Sequence, residues 1–287
     1  MKRAWKIALA LALVLGSGLA QNLRFQRWAD PQEGAFSLEV PAGWQVQGGT
    51  TRPYGGTGVV TQVTIASPDG SVRVQFGDYN LPTTFIEPNP TLASLGYGEG
   101  SRPSTSSMVL RYMSGSNFSG FYVAQSLGQR CNRLAWTRKG DYPDHVRQQN
   151  QLLSQTGLQP FSGYSAGDIN FRCQAGGKTL VGYQYAETYA TTYQGTATAW
   201  ALRQTYGYVA TPEKAALADA VLSRAISTNQ VNPQWFRGEY GHQEGLLRMQ
   251  ARYYTYTADL MQRMHNERLK AMDKWAKERG DLLSNNR

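Results

Sequence analysis

Alternation of apolar and polar positions dominates the first part of the chain. Phe36, Leu38 and Val40 alternate with Ser37 and Glu39, and Pro41-Ala42-Gly43 makes a turn before Trp44 and Val46. Beyond a Gly-rich stretch at 48–58, Val59, Val63 and Ile65 lead into the turn signal Ser67-Pro68-Asp69-Gly70. Val72, Val74 and Phe76 then alternate again, which predicts a β-hairpin. Residues 78–107 are rich in Pro, Gly and Ser and predict a long surface loop.

The middle is harder to assign. Phe118, Phe121, Tyr122 and Leu127 have helical spacing, weakened by Gly120 and Gly128, and residues 133–138 suit a strand. Asp144 to Ser154 fits either a helix or a polar strand. A second β region covers 178–208. Val181, Tyr183, Tyr185 and Tyr189 share one face of a strand, and Gly182, Ala186 and Ala190 share the other. After Tyr193-Gln194-Gly195, strict alternation puts Trp200, Leu202 and Tyr206 on a bulky face opposite Ala197, Ala199 and Ala201. Thr211-Pro212-Glu213 opens a helix, with Ala216, Leu217, Ala220, Val221 and Ile226 as its apolar side.

From about Glu244, Leu246, Met249, Tyr253, Tyr256, Leu260 and Met264 step by three or four. The stripe then shifts to His265, Leu269, Met272 and Ala276, as in a coiled-coil stutter. Arg263/Glu267, Asp273/Lys277 and Lys274/Glu278 sit four apart and can pair along it. This predicts one long helix of about 35 residues. It either packs on its own domain or meets a partner; Leu246, Met249, Tyr253, Leu260, Met264, Leu269 and Met272 are the candidate partner-binding residues.

The first residues set the compartment. Lys2, Arg3 and Lys6 precede the apolar run Ile7 to Leu15, and Gly18-Leu19-Ala20 supplies small residues for cleavage, so residues 1–20 read as a secretory signal peptide cleaved near Ala20. A retained anchor is the competing reading, but the run is short of the about 20 residues that a bilayer core demands. No transmembrane segment is expected in the mature chain. The protein is expected to be secreted or periplasmic, with residues 21–235 as one α+β domain and 236–287 as linker and helix. In that compartment Cys131 and Cys173 form a disulfide by default, with a pair of free buried thiols as the alternative. The bridge would close a loop of about 41 residues, worth roughly 3–4 kcal/mol in the chain-entropy account.

Charge then changes meaning. The formal charge is +9, from 29 Lys+Arg against 20 Asp+Glu, and it falls to +6 without Lys2, Arg3 and Lys6. The remaining excess is spread along the chain with no basic block, so nucleic acid is not expected as a partner. Two Cys and three His exclude multi-zinc and disulfide-scaffold classes.

Two stretches carry a family likeness. WADPQEGAFSLEVPAGW at 28–44 and SPDGSVRVQFGDYNLP at 67–82 resemble the opening of PsbP-like secreted proteins. That fold is named for an extrinsic photosystem II subunit and includes many bacterial proteins of unknown function. GYVATPEKAALADAVLSRAISTNQVNPQW at 207–235 is similar to the way such chains end their core. The resemblance implies an α-β-α sandwich on an antiparallel sheet. It brings no catalytic motif, and nothing here matches residues specific to the photosystem assembly.

Candidate chemistry is sparse. Gly163-Tyr164-Ser165-Ala166-Gly167 fits the GxSxG elbow, with His242 and His265 downstream as bases for a serine hydrolase at Ser165. The preceding Gln159-Pro160-Phe161-Ser162 is a poor buried strand, so a Gly/Ser turn between strands is the expectation. His145, His242 and His265 lack metal-ligand spacing, and no metal or cofactor is expected. Asp144-His145 reads as a solvated loop pair, and Gly96 to Gly100 as a flexible turn with no P-loop Lys. Glu187, among tyrosines, would act as a general acid if buried, but a surface or edge position is expected. Tyr183, Tyr185, Tyr189, Trp200 and Tyr206 make either a glycan-stacking platform or a core face under a helix. The leading expectation is an exported, non-catalytic binding or scaffolding protein of the cell envelope. Its partners would be an envelope protein or a second copy met through the C-terminal helix.

Overall fold

The computed structural model describes residues 23–52, 59–155, 162–193, 196–240 and 258–270. The first alternating run becomes β2 (Phe36–Pro41), with Phe36, Leu38 and Val40 buried. It lies between β1 (Phe25–Ala29) and β12 (Gln230–Val231) in a three-stranded sheet. The expected hairpin is β4 (Val60–Ala66) with β5 (Val72–Phe76), Ile65 opposite Val74. Its turn is held by Asp69, which accepts from the Ser67 and Ser71 hydroxyls at 2.6 and 2.7 Å.

Among the described residues the main sheet has nine strands. Across it run β3 (Gln45–Thr51), β4, β5, β11 (Thr196–Ala210), β10 (Lys178–Tyr193), β9 (Ser162–Ala175) and β8 (Asn132–Asp141). The stretch expected as a loop supplies the other two strands. β6 (Thr84–Ile86) pairs with β11 and β7 (Ser107–Val109) with β6, separated by the short α1 (Pro90–Ser94). Phe85 explains the ordering: it is 1% exposed and stacks on Trp200 at 4.0 Å between ring centres. All named pairings of this sheet are antiparallel except β6 with β7.

Helices cover both faces, giving the α-β-α layering that the resemblance implies. α2 (Gly115–Leu127) lies on one face, with Phe118 and Val123 buried. Its first turn approaches β9 at glycines: a Cβ on Gly115 would stand 2.4 Å from the Ala186 carbonyl oxygen, and one on Gly167 would stand 2.5 Å from the Ser116 nitrogen. The other face carries α3 (Pro143–Gln155), α4 (Ala215–Ser227) and α6 (residues 258–270). Asp144 to Ser154 is thus helical. The short α5 (Pro233–Tyr240) follows β12.

A register shift rewrites the second β region. Glu187 stands opposite Gln204 but Thr188 stands opposite Leu202, so Arg203 is the extra residue of a β-bulge. The bulge reverses the alternation along β11. Tyr206 and Tyr208 share a face with Tyr185 and Tyr183, whereas Trp200 packs on the other with Ala186 and Ala190. The single bulky face expected for Trp200, Leu202 and Tyr206 is therefore split between two cores. Of the supposed platform, Tyr183, Tyr185, Trp200 and Tyr206 are all 3% exposed or less. These rings pack on other rings and under helices, which overturns the glycan platform.

Of the two alternatives for the tail, its described part takes the first and packs on its own domain. In α6 the buried side chains are Leu260, Met261, Met264 and Arg268, packed on the tyrosine face. The inward face runs on to Arg268, and His265, half-buried, reaches Asp219 beside it; Met272 and Ala276 of the expected shift lie outside the described residues. Leu260 and Met264, expected as partner-binding residues, are 4% and 1% exposed and occupied by their own domain. Leu269 is half-buried. Leu246, Met249, Tyr253 and Met272, like the leader 1–20, lie outside the described residues. Among those described, no helix is long and apolar enough to cross a membrane. Cys131 and Cys173 form the disulfide, joining the start of β8 to β9.

Candidate functional site: a polar network under the helices

The ionisable residues concentrate on the tyrosine face. Glu187, on β10, is fully buried, contrary to the expected surface position. Four groups converge on its carboxylate. Tyr164 donates to Oε2 at 2.5 Å, while Tyr185 and Gln204 donate to Oε1 at 2.7 and 2.8 Å. His145 Nε2, from α3, lies 2.9 Å from Oε1. His145 is itself 1% exposed, so only Asp144 of the expected solvated pair faces water. One turn along α3, Gln149 is also fully buried, and neither of its amide atoms has a hydrogen-bond partner among the described residues.

Burial pushes the Glu187 carboxyl up. The hydrogen bond and charge of His145, the charge of Arg203 and the Tyr164 hydroxyl outweigh it and bring the pKa down to about 2. The group is therefore an ionised acceptor and is unsuited to donating a proton as a general acid. A depressed carboxylate stabilises the fold above its unfolded pKa, near 4.5, and loses that contribution as the pH falls towards 2. The advantage of the wild type over Glu187→Gln at pH 6 should shrink by about 3 kcal/mol by pH 2, read from urea unfolding at each pH. An advantage independent of pH would show that the carboxylate is not held ionised.

A second group lies beside it. Asp168 on β9 is fully buried, and Arg138 of β8 and the Tyr142 hydroxyl donate to its Oδ2 at 3.0 and 2.6 Å. Burial pushes this carboxyl up against the pull of Arg138 and Tyr142. The third group fastens α6. Asp219 of α4 is fully buried between His265 and Arg268, and Arg268 Nε donates to it at 2.5 Å. The Arg268 guanidinium also lies over the Tyr183 ring, 4.2 Å from its centre. Each group joins a helix or an edge strand to the central strands.

The hydrolase motif is used differently. Ser165 sits inside β9, opposite Thr188, and its Oγ accepts from the Gly115 amide at 3.0 Å. It faces α2, whereas His145 and His265 lie across the sheet with Glu187 and Asp219. His242 is outside the described residues. No strand-to-helix elbow is formed, so Ser165 has neither the strained turn nor a base among the described residues. The motif's second glycine instead admits the backbone of α2. Glu99, in the Gly96 to Gly100 turn, pairs with Arg111 at 3.3 Å, which places a carboxylate where a phosphate loop needs donors. Among the described residues no cluster of three or more His, Cys, Asp or Glu is placed to hold a metal.

Sequence reasoning singled out Glu187, His145, Ser165 and the tyrosines, but passed over Asp168, Asp219, Arg138 and Arg268. Two had a visible signal. Asp219 falls among Ala215, Ala218 and Leu222 on the inward side of its helix, and Arg268 follows Met264 by four.

No family model matches the chain, and no curated protein matches it. Solved structures resemble it only weakly, two of them as follows. One is the protein of unknown function PA94 from Pseudomonas aeruginosa, at 10% identity and a TM-score of 0.22, over 66% of this chain and 84% of that one. The other is LpqN, described as involved in cell envelope biogenesis of Mycobacterium tuberculosis, at 8% identity and 0.27, over 76% and 96%. Likeness at that level carries no argument about this chain.

Proposed function

We propose that this chain is an exported, disulfide-braced protein of the cell envelope, of the PsbP-like secreted type, that works by binding or scaffolding and does no catalysis. The observation that supports it most is the use of the ionisable groups. Glu187, Asp168 and Asp219 are buried and held by partners that tie helices and an edge strand to the sheet. Ser165 is engaged with a backbone amide. The leader-like residues 1–20 and the Cys131–Cys173 bridge support the export part of the reading. Any partner contact by the tail would fall to Leu246, Met249, Tyr253 or Met272, since Leu260 and Met264 are occupied.

A fluorophosphonate probe tests the non-catalytic part. The full chain should show no labelling that disappears in Ser165→Ala. Labelling that depends on Ser165 would restore the hydrolase reading and overturn this one.

A further inference from the structure

The described chain is engaged in the fold from its first residue. Leu23 packs against the main core cluster, and the Arg24 carbonyl accepts the Ala42 amide at 2.8 Å. β1 follows at once, paired with β2 from Phe25 opposite Pro41 to Ala29 opposite Ser37. Its side chains are held as well. Arg27 donates to the Ser37 hydroxyl at 3.0 Å and to the Thr228 carbonyl at 2.9 Å. Trp28 lies 5.9 Å from Phe36 between ring centres, and the Arg224 guanidinium stands 5.7 Å from the centre of the Phe25 ring. β1 is one edge of the three-stranded sheet, so its loss would uncover Phe36 and open one side of β2.

This early start limits where a leader can be cut away. A cut after Ala20 leaves Gln21 and Asn22, which lie outside the described residues, ahead of Leu23. A cut beyond Leu23 would remove a side chain that packs on the core. Small residues stand at −3 and −1 for a cut after Ala20, as Gly18 and Ala20, and for one after Gly18, as Gly16 and Gly18. The first exposes Gln21 as the new terminus and the second exposes Leu19. The residue type there decides the chemistry. A terminal glutamine can close a five-membered ring between its α-amine and its side-chain carbonyl carbon. Asparagine would need a strained four-membered ring, and leucine has no carbonyl to attack.

We propose that the exported chain begins at Gln21 and that this residue is converted to pyroglutamate, which caps β1 against aminopeptidases. The proposal rests on the exported reading above and adds a modification site to it. The α-amino nitrogen attacks Cδ of the Gln21 side chain and forms the N–Cδ bond of a lactam. The Cδ–Nε2 bond breaks, and ammonia leaves with a proton from the attacking amine. No oxidant or second substrate enters, and both reacting groups belong to one residue, which favours the step. Aminopeptidases bind a free α-amine, which the lactam lacks. Without the cap, trimming by more than two residues would reach Leu23 and then the strand that packs on Phe36.

The test is to express the full chain, leader included, in a bacterial host and weigh the exported form by intact mass spectrometry directly on harvest. The expected mass is that of residues 21–287 less one ammonia. Edman sequencing should find no start until a pyroglutamyl peptidase exposes Asn22. Gln21→Ala should keep a free amine, and a broad aminopeptidase should shorten it while leaving the wild type intact. A wild-type chain that begins at Gln21 and retains its ammonia overturns the proposal and leaves the exported reading standing. So does a chain that begins at Leu19, ammonia lost only on storage, or a wild type shortened as fast as Gln21→Ala. A chain that keeps residues 1–20 overturns the proposal and the exported reading together, so the mass alone tells the two failures apart.

Discussion

Arg268→Ala is expected to cost about 3–5 kcal/mol of folding stability, read as the shift in urea unfolding. The reason is what the substitution leaves behind. Asp219 is fully buried in α4, and Arg268 supplies a hydrogen bond at 2.5 Å as well as charge. Without the guanidinium, the carboxylate retains only His265 among the described residues, and Tyr183 loses the cation over its ring. Asp219→Ala should cost a comparable amount, because Arg268 is 3% exposed and would be stranded in turn. The combined Asp219→Leu, Arg268→Met variant should recover most of either loss, since replacing both members of a buried pair by apolar groups is often near neutral. Single-variant losses below about 1 kcal/mol would place the pair at a solvated surface.

Ending the chain at residue 257 should have a larger effect still. It removes Leu260, Met261 and Met264, each 4% exposed or less, together with Arg268. Burial of three such apolar side chains contributes roughly 5–9 kcal/mol, against a total stability of about 5–15 kcal/mol for a typical domain. The cut also uncovers Tyr183, Tyr206 and Tyr208. The truncated protein should therefore lose its cooperative thermal transition. A truncated chain that keeps the wild-type melting temperature would show that the tail is an appendage.

Much of the fold was legible because burial on one side of a strand imposes a period of two. Phe36, Leu38 and Val40, and Val72 and Val74, mark their strands in this way, and the Asp69-Gly70 turn between β4 and β5 has its own chemistry. The Cys131–Cys173 bridge was legible from the leader-like pattern of residues 1–20 and the lack of any other cysteine. Three things were not. Nothing in a one-dimensional pattern marks Arg203 as a bulge, and from there the faces of β11 are exchanged. The strand β6 hid in a Pro-rich segment because three residues with one buried ring leave no periodic signal. The inward face of α6 was misjudged because Arg268 counts as polar, although its charge is met by Asp219 from a distant helix.

The candidate site shows the same division. Glu187 stood out by type, but its ionised state depends on His145, Tyr164, Tyr185 and Gln204, which come from α3, β9, β10 and β11.

The central claim is that the polar network serves the core and that α6 belongs to that core. Hydrogen exchange on the full chain tests it most directly. Amides of residues 260–268 should exchange as slowly as those of β10 and β11, through the same global opening. Exchange of those amides within seconds, while β10 and β11 stay protected, would contradict the account and return the helix to the role of a free arm.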